Sequence, residues 1–188
     1  MQQFLGYITA ITELSEKAQK AIAEKMVRKQ YAKNCIVVDD LCLCDKLYFV
    51  EQGLLRIFYH NDSKEITDFF ADKHATVGPV LRFQPIRNFI HSVETLEETT
   101  VLYIHLADLE QLYVQYPELE RLGRLLALQT MFQLQHRIDS IQFFSAKERY
   151  DDFANRHATL LQRVALGHIA SYLGMNQVTL SRVRRTKN

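Results

Sequence analysis

The sequence predicts an α+β chain: short strands closing into a sandwich, barrel or roll, then one long helix, then a small all-helical unit. Three observations carry this. Between residues 31 and 105, β-branched and aromatic runs such as "CIVV", "KLYFVEQGLLRIFYHND" and "EITDFFA" alternate with turn residues. From residue 106 the apolar period becomes helical. The last stretch, "VALGHIASYLGMNQVTLSRVRRTKN", reads as two short helices around a tight turn.

Taken in order, residues 12–30 predict a helix, with Thr12 as its cap and Leu14, Ala18, Ala21, Ile22 and Met26 at helical spacing. The strand region follows. Glu51-Gln52-Gly53 and Asn61-Asp62-Ser63 break it, so the run 54–60 lies between two reversals. "FIHSVETLEETTVLYIHL" closes it. "LADLEQLYVQY" is a short helix that Pro117 ends, and Pro117 suits the first turn of the next one.

That next helix runs to about residue 143. Along it Leu119, Leu122, Leu126, Gln129, Gln133 and His136 recur at alternating steps of three and four, as in a coiled-coil seam. Leu125, Leu128, Met131, Phe132, Leu134, Ile138 and Ile141 lie on other faces, so the helix packs against more than one thing. Leu119, Leu122, Leu126, Gln129 and Gln133 are expected to meet a partner helix while another face meets the chain's own strands; the alternative is burial of the whole helix within one chain. Ser145 and Glu148 predict a capping box on "AKERYDDFANRH". In the final pair, Gly174 suits a helix end needing positive φ and Asn176 suits an N-cap. The expected units are 1–116, 117–144 and 145–188.

Composition narrows the class. No run approaches 18 apolar residues, so no membrane span is expected. The first residues lack a secretory n-region, and three cysteines make no disulfide framework, so a reducing cytoplasm is expected. The net charge of +1 hides an asymmetry: residues 1–144 hold 15 Lys/Arg against 19 Asp/Glu, residues 145–188 hold 8 against 3. A basic end carrying a helix-turn-helix pattern points to a polyanion.

Several stretches in this order resemble the Crp/Fnr family of bacterial transcription regulators. They are "LYFVEQGLLRIFY" with "KEITDFF", "YPELERLGRLLALQ", "AKERYDDF" and "VALGHIASYLGMNQVTLSRVRR", so the likeness spans nearly the whole chain. The resemblance implies a double-stranded β-helix, the jelly-roll-like cyclic-nucleotide-binding fold. It also implies a central dimerisation helix, a C-terminal helix-turn-helix, homodimers on inverted-repeat double-stranded DNA, and RNA polymerase as a candidate further partner. No cofactor, metal or enzymatic activity is expected.

Two departures matter. Family members that bind cyclic nucleotide hold ribose and phosphate with a Gly-Glu pair and an Arg followed by Ser or Thr. Here Gly78 precedes Pro79, which offers neither carboxylate nor N–H, and Arg87 precedes Asn88. The resemblance then implies an effector pocket around Gly78, Arg82, Arg87 and Asn88 for an effector other than cyclic AMP; the alternative is that Arg82 and Arg87 are surface arginines. The second departure is the absence of a wing: the sequence stops at Asn188, so "RVRRTKN" is expected to supply phosphate contacts.

In such units the start of the second helix enters the major groove. Gln177, Val178, Thr179, Ser181 and Arg182 would face base edges, with Arg182 suited to guanine, Gln177 to adenine and Val178 to a thymine methyl. Arg184, Arg185 and Lys187 are expected on phosphates, with Arg163 and His168 beside them. Cys35, Cys42 and Cys44 fall short of the four ligands a cluster needs, and are expected as buried thiols with Cys42 and Cys44 on one side of a strand. His60, His74, His91 and His105 contain no His-x-His, against a metal cupin. A ligand-responsive dimer without a DNA role is the remaining alternative.

Overall fold

The computed structural model describes residues 1–41, 44–61, 64–78 and 90–185. The chain opens with two helices where one was expected: α1 (Gln2–Ile11) and α2 (Glu16–Lys25). Thr12 is extended between them, at φ −155°, and Ser15 is the N-cap, its Oγ accepting from the Ala18 N–H at 3.2 Å. The stretch after Met26, expected as helix, is instead strand β1 (Val27–Tyr31), because its register against a later strand provides a full ladder of backbone partners.

The remaining strands are β2 (Ile36–Val38), β3 (Lys46–Gln52), β4 (Leu55–Asn61), β5 (Lys64–Ala71), β6 (Thr76–Val77), β7 (His91–Thr95) and β8 (Thr99–His105). They form two four-stranded sheets, β1-β8-β3-β6 and β2-β7-β4-β5, antiparallel throughout. Gly53 turns β3 into β4 at φ +98°, where a Cβ would lie 2.5 Å from Thr99 Oγ1, so the reversal requires glycine. The sheets enclose a core that includes Val50, Leu55, Ile57, Val93 and Val101. Cys44 precedes β3 rather than lying within a strand, and Cys35 and Cys44 are both half-buried; Cys42 lies outside the described residues.

The helices follow as α3 (Leu106–Gln115), α4 (Pro117–Phe143), α5 (Ala146–Arg156), α6 (Leu160–Arg163), α7 (Leu166–Tyr172) and α8 (Gln177–Arg185). Pro117 stands in the first turn of α4, and Ser145 with Glu148 completes the expected capping box on α5. Leu119 and Leu122 of α4 are 0% and 4% exposed. They pack with Phe4, Ile8, Ile22 and Leu112 from the first three helices. These two leucines are therefore core of the chain itself, not a surface offered to a partner. A three-four alternation marks a buried face but does not say what buries it.

The C-terminal helices share a core with the roll: Leu54, Phe70 and Leu96 cluster with Phe153, Leu160, Ile169 and Leu180. Helix α7 lies along β5, an edge strand. Ser171 Oγ accepts from the Thr67 N–H at 2.9 Å and donates to the Glu65 carbonyl at 3.3 Å. From α4, Arg137 donates to Asp68 at 2.8 Å and to the Thr67 carbonyl at 3.3 Å. An edge that would otherwise invite another strand is thus covered by the chain's own helices. Behind it Arg56, 1% exposed, donates to Thr67 Oγ1, Glu65 and Glu94 at 2.9, 2.7 and 2.8 Å, so the buried charge is paired on two sides.

Candidate functional site

The two final helices are held in a helix-turn-helix by local chemistry. Gly174 takes φ +64° after α7, and the Met175 N–H returns to the Ala170 carbonyl at 3.0 Å while the Gly174 N–H bonds Ser171, a Schellman ending. Asn176 Oδ1 then accepts from the Thr179 N–H at 2.7 Å and caps α8. Leu180 is fully buried and Val183 half-buried, which fixes the roll of α8 about its axis. Gln177, Val178, Arg182, Arg184 and Arg185 are exposed, while Thr179 and Ser181 are half-buried.

Val178, Ser181, Arg182 and Arg185 share one side of α8 by helical spacing, so this side presents a methyl-rich contact, a hydroxyl and two guanidinium groups. Arg182, Arg184 and Arg185 stand in the last turn, where cations suit the helix dipole. Lys187 lies outside the described residues. Arg163 and His168 do not join this surface. Arg163 pairs with Glu97 through two nitrogens and donates to the Gly53 carbonyl at 3.1 Å. His168 is half-buried against the charges of Arg56, Glu65 and Glu94, and burial lowers its pKa. Arg163 thus ties the helical unit to the roll, a role that basic character in the sequence could not reveal.

Of the expected effector loop, Gly78 directly follows β6, where a Cβ would meet Leu47 Cδ1 at 2.7 Å; Arg82, Arg87 and Asn88 lie outside the described residues. The expected partner-facing positions divide. Leu119 and Leu122 are core, Leu126 is half-buried, and Gln129 and Gln133 line a cavity on the inward side of α4. The opposite side carries the exposed Leu128, Met131, Phe132 and Ile138. With Gln135, the positions 128, 131, 135 and 138 recur at steps of three, four and three. The exposed apolar side of α4 is therefore the one the spacing places on its other faces, not the one that carries Leu119 and Leu122.

Among the described residues, no three His, Cys, Asp or Glu side chains converge as metal ligands, and no helix is long and apolar enough to cross a membrane.

Comparison with known proteins places this geometry. Residues 28–116 match the cyclic nucleotide-binding domain family. No curated protein sequence matches the chain. Among solved structures it is similar to a CooA variant from Carboxydothermus hydrogenoformans, at 17% identity and TM-score 0.71, covering 95% of this chain and 81% of that one. It is similar to a protein from Eubacterium rectale assigned to the transcriptional regulators of the Crp/Fnr family, at 18% identity and TM-score 0.71, covering 93% and 83%. FixK2 from Bradyrhizobium japonicum aligns at 18% identity and TM-score 0.67, covering 86% and 83%. Residues 28–116, just under half of the chain, thus match the cyclic nucleotide-binding domain model, and the chain shares the fold of these solved structures.

Proposed function

We propose that the protein is a DNA-binding transcriptional regulator that acts as a homodimer, with the roll as its sensor. The observation that carries this reading is one side of α8, where Val178, Arg182 and Arg185 are exposed beside the half-buried Ser181 on a helix anchored by Leu180 and capped by Asn176. Such a helix enters a major groove with its early residues on bases and its last turn on phosphates. Gln177, Val178, Thr179, Ser181 and Arg182 are the base-facing set, and Arg184, Arg185 and Lys187 the phosphate set.

The dimer seam in this proposal is Leu128, Met131, Gln135 and Ile138, flanked by Phe132. Large apolar side chains exposed at coiled-coil spacing favour a second copy of the same helix. Gln135 would set register at a cost in stability, as a polar seam position does. Two copies related by a two-fold axis present two α8 helices to half-sites about one DNA turn apart, so the operator is an inverted repeat. The sensor's effector differs from cyclic AMP, since Pro79 and Asn88 stand where the resemblance requires a carboxylate and a hydroxyl.

The experiment is selection of bound duplexes from a random pool at two salt concentrations. Recovery of an inverted repeat supports the proposal. Binding with no sequence preference, and the same salt slope on every duplex, overturns it in favour of a ligand-responsive module without a reading role.

A further inference from the structure

Helix α4 is inverted relative to an ordinary surface helix beyond Leu126. Its outward side is apolar, through Leu128, Met131, Phe132 and Ile138, all exposed. Its inward side turns polar at the same level: Gln129, Thr130, Gln133, His136 and Ser140 face a cavity of about 360 Å³ between the roll, α4, α5 and α7. Packing alone selects the opposite arrangement, as Leu119 and Leu122 do one turn earlier on this same side. Thr130 donates to the Leu126 carbonyl at 3.1 Å and His136 lies 3.6 Å from Asp152, while Gln129 and Gln133 are exposed at the rim with amides that can reach a ligand, and the volume is that of a small-molecule site.

The walls define the chemistry. On one flank the rings of Tyr7 and His74 stack at 4.6 Å; on the other, Phe153 lies 5.5 Å from Tyr172 and 5.2 Å from His157. All five rings line the cavity. Burial lowers the pKa of both His74 and His157, which favours the neutral form of each ring.

Three arginines line the cavity, 137, 149 and 156, against two aspartates, 72 and 152. Arg137 is paired to Asp68, and Arg156 to Asp152. Arg149 differs: its Nη1 donates to the Ile141 and Phe144 carbonyls at 3.5 and 3.1 Å, and no carboxylate pairs with it among the described residues. Its Nε–H is buried without a partner. A guanidinium held in place by carbonyl oxygens presents its charge to the cavity; Asp72 also lines it, so arginines and carboxylates balance in number and Arg149 supplies direction rather than net charge.

We propose that this cavity is a binding site for a small planar aromatic anion, with the anionic group toward Arg149 and the polar edge read by Gln129 and Gln133. Gly78 is not among the described walls. A ligand here touches the roll, the central helix and the helical unit at once. As a ligand site the cavity stands independently of any DNA role; as an effector site it rests on the regulator reading above.

The test titrates the full chain with three naphthalene probes of one ring and different charge: 1-naphthoate, 1-naphthalenemethanol and 1-naphthylmethylamine. By calorimetry, naphthoate is expected to bind about tenfold more tightly than the amine. Arg149→Gln reduces that preference to about threefold or less, and Arg149→Lys retains it. Gln133→Trp, at an exposed position in the cavity wall, weakens all three probes about tenfold or more, and needs no change to a buried group. Equal or tighter binding of the amine overturns the proposal, as does unchanged binding after Gln133→Trp, or no saturable binding below about 1 mM. The probes are read without DNA, so an inverted repeat recovered from a chain that ignores naphthoate removes the cavity proposal alone, and naphthoate binding by a chain that reads no sequence removes the regulator reading alone.

Discussion

Replacing Leu119 with Ala separates the two roles that the spacing on α4 allows. Leu119 is 0% exposed and sits among Phe4 and Ile8 of α1, Leu112 of α3 and Leu122 of its own helix. Deleting three buried carbons loses their transfer free energy and leaves a cavity that these neighbours close only in part. Fully buried leucines cost about 2.7–5 kcal/mol on this change. Large side chains surround Leu119, and α1 can shift toward α4, so about 3 kcal/mol is the expected loss. At about 2–4 °C per kcal/mol for a chain of this size, the midpoint of thermal unfolding falls by about 6–12 °C. Urea denaturation at a fixed protein concentration measures the loss directly. Sedimentation of the native variant measures self-association, which changes by less than about threefold if Leu119 belongs to the core. A stability loss below about 1 kcal/mol, together with an association weakened more than about tenfold, would show that Leu119 faces a partner and refute the reasoning.

Three further outcomes follow from the same geometry. Arg56→Met strands Glu65 and Glu94; breaking a buried pair costs about 3–5 kcal/mol, but Glu65 is half-exposed and rehydrates, so about 2 kcal/mol is expected in urea. The Arg56 hydrogen bond holds the Glu65 carboxyl below its ordinary pKa, so this stabilisation is complete above the carboxylate range and disappears as pH falls through it; a stability difference that stays constant down to pH of about 2 contradicts the pairing. Asn176→Ala removes the cap from α8 and is expected to cost about 1 kcal/mol, while Asn176→Asp retains it; equal losses in the two variants would mean that the Thr179 N–H bond carries nothing. Arg182→Ala is expected to relax base choice at one operator position by about 1–3 kcal/mol, whereas the Arg184 and Arg185 pair changed to Ala weakens all duplexes alike and flattens the salt slope; identical effects on every sequence erase the distinction.

Much of the architecture is legible in the sequence because it is written in local chemistry. The capping box of Ser145 and Glu148, the glycine at 174, the cap at 176 and the proline at 117 each answer a need of the neighbouring backbone, within four residues. The helix expected at 12–30 failed for the complementary reason. Lys29, Gln30 and Tyr31 are compatible with either state, and only the distant partners Val101, Thr100 and Thr99 select strand. Arg163 and His168 read as phosphate binders while their partners, Glu97 on one turn and Arg56 with its two glutamates, lay far along the chain.

Past residue 31, the sequence specifies the succession of strands, long helix and helical unit, the turn that builds the helix-turn-helix and the side of α8 that carries its basic and small polar groups. Tertiary structure alone decided which of the two faces of α4 is inside. Both faces keep a three-four step, and periodicity reports that a face is distinguished without naming its neighbour. Only when α1, α2 and α3 close over Leu119 and Leu122, and α7 seals the edge of β5, do Gln129 and Gln133 turn into a cavity and Leu128, Met131 and Ile138 remain outside.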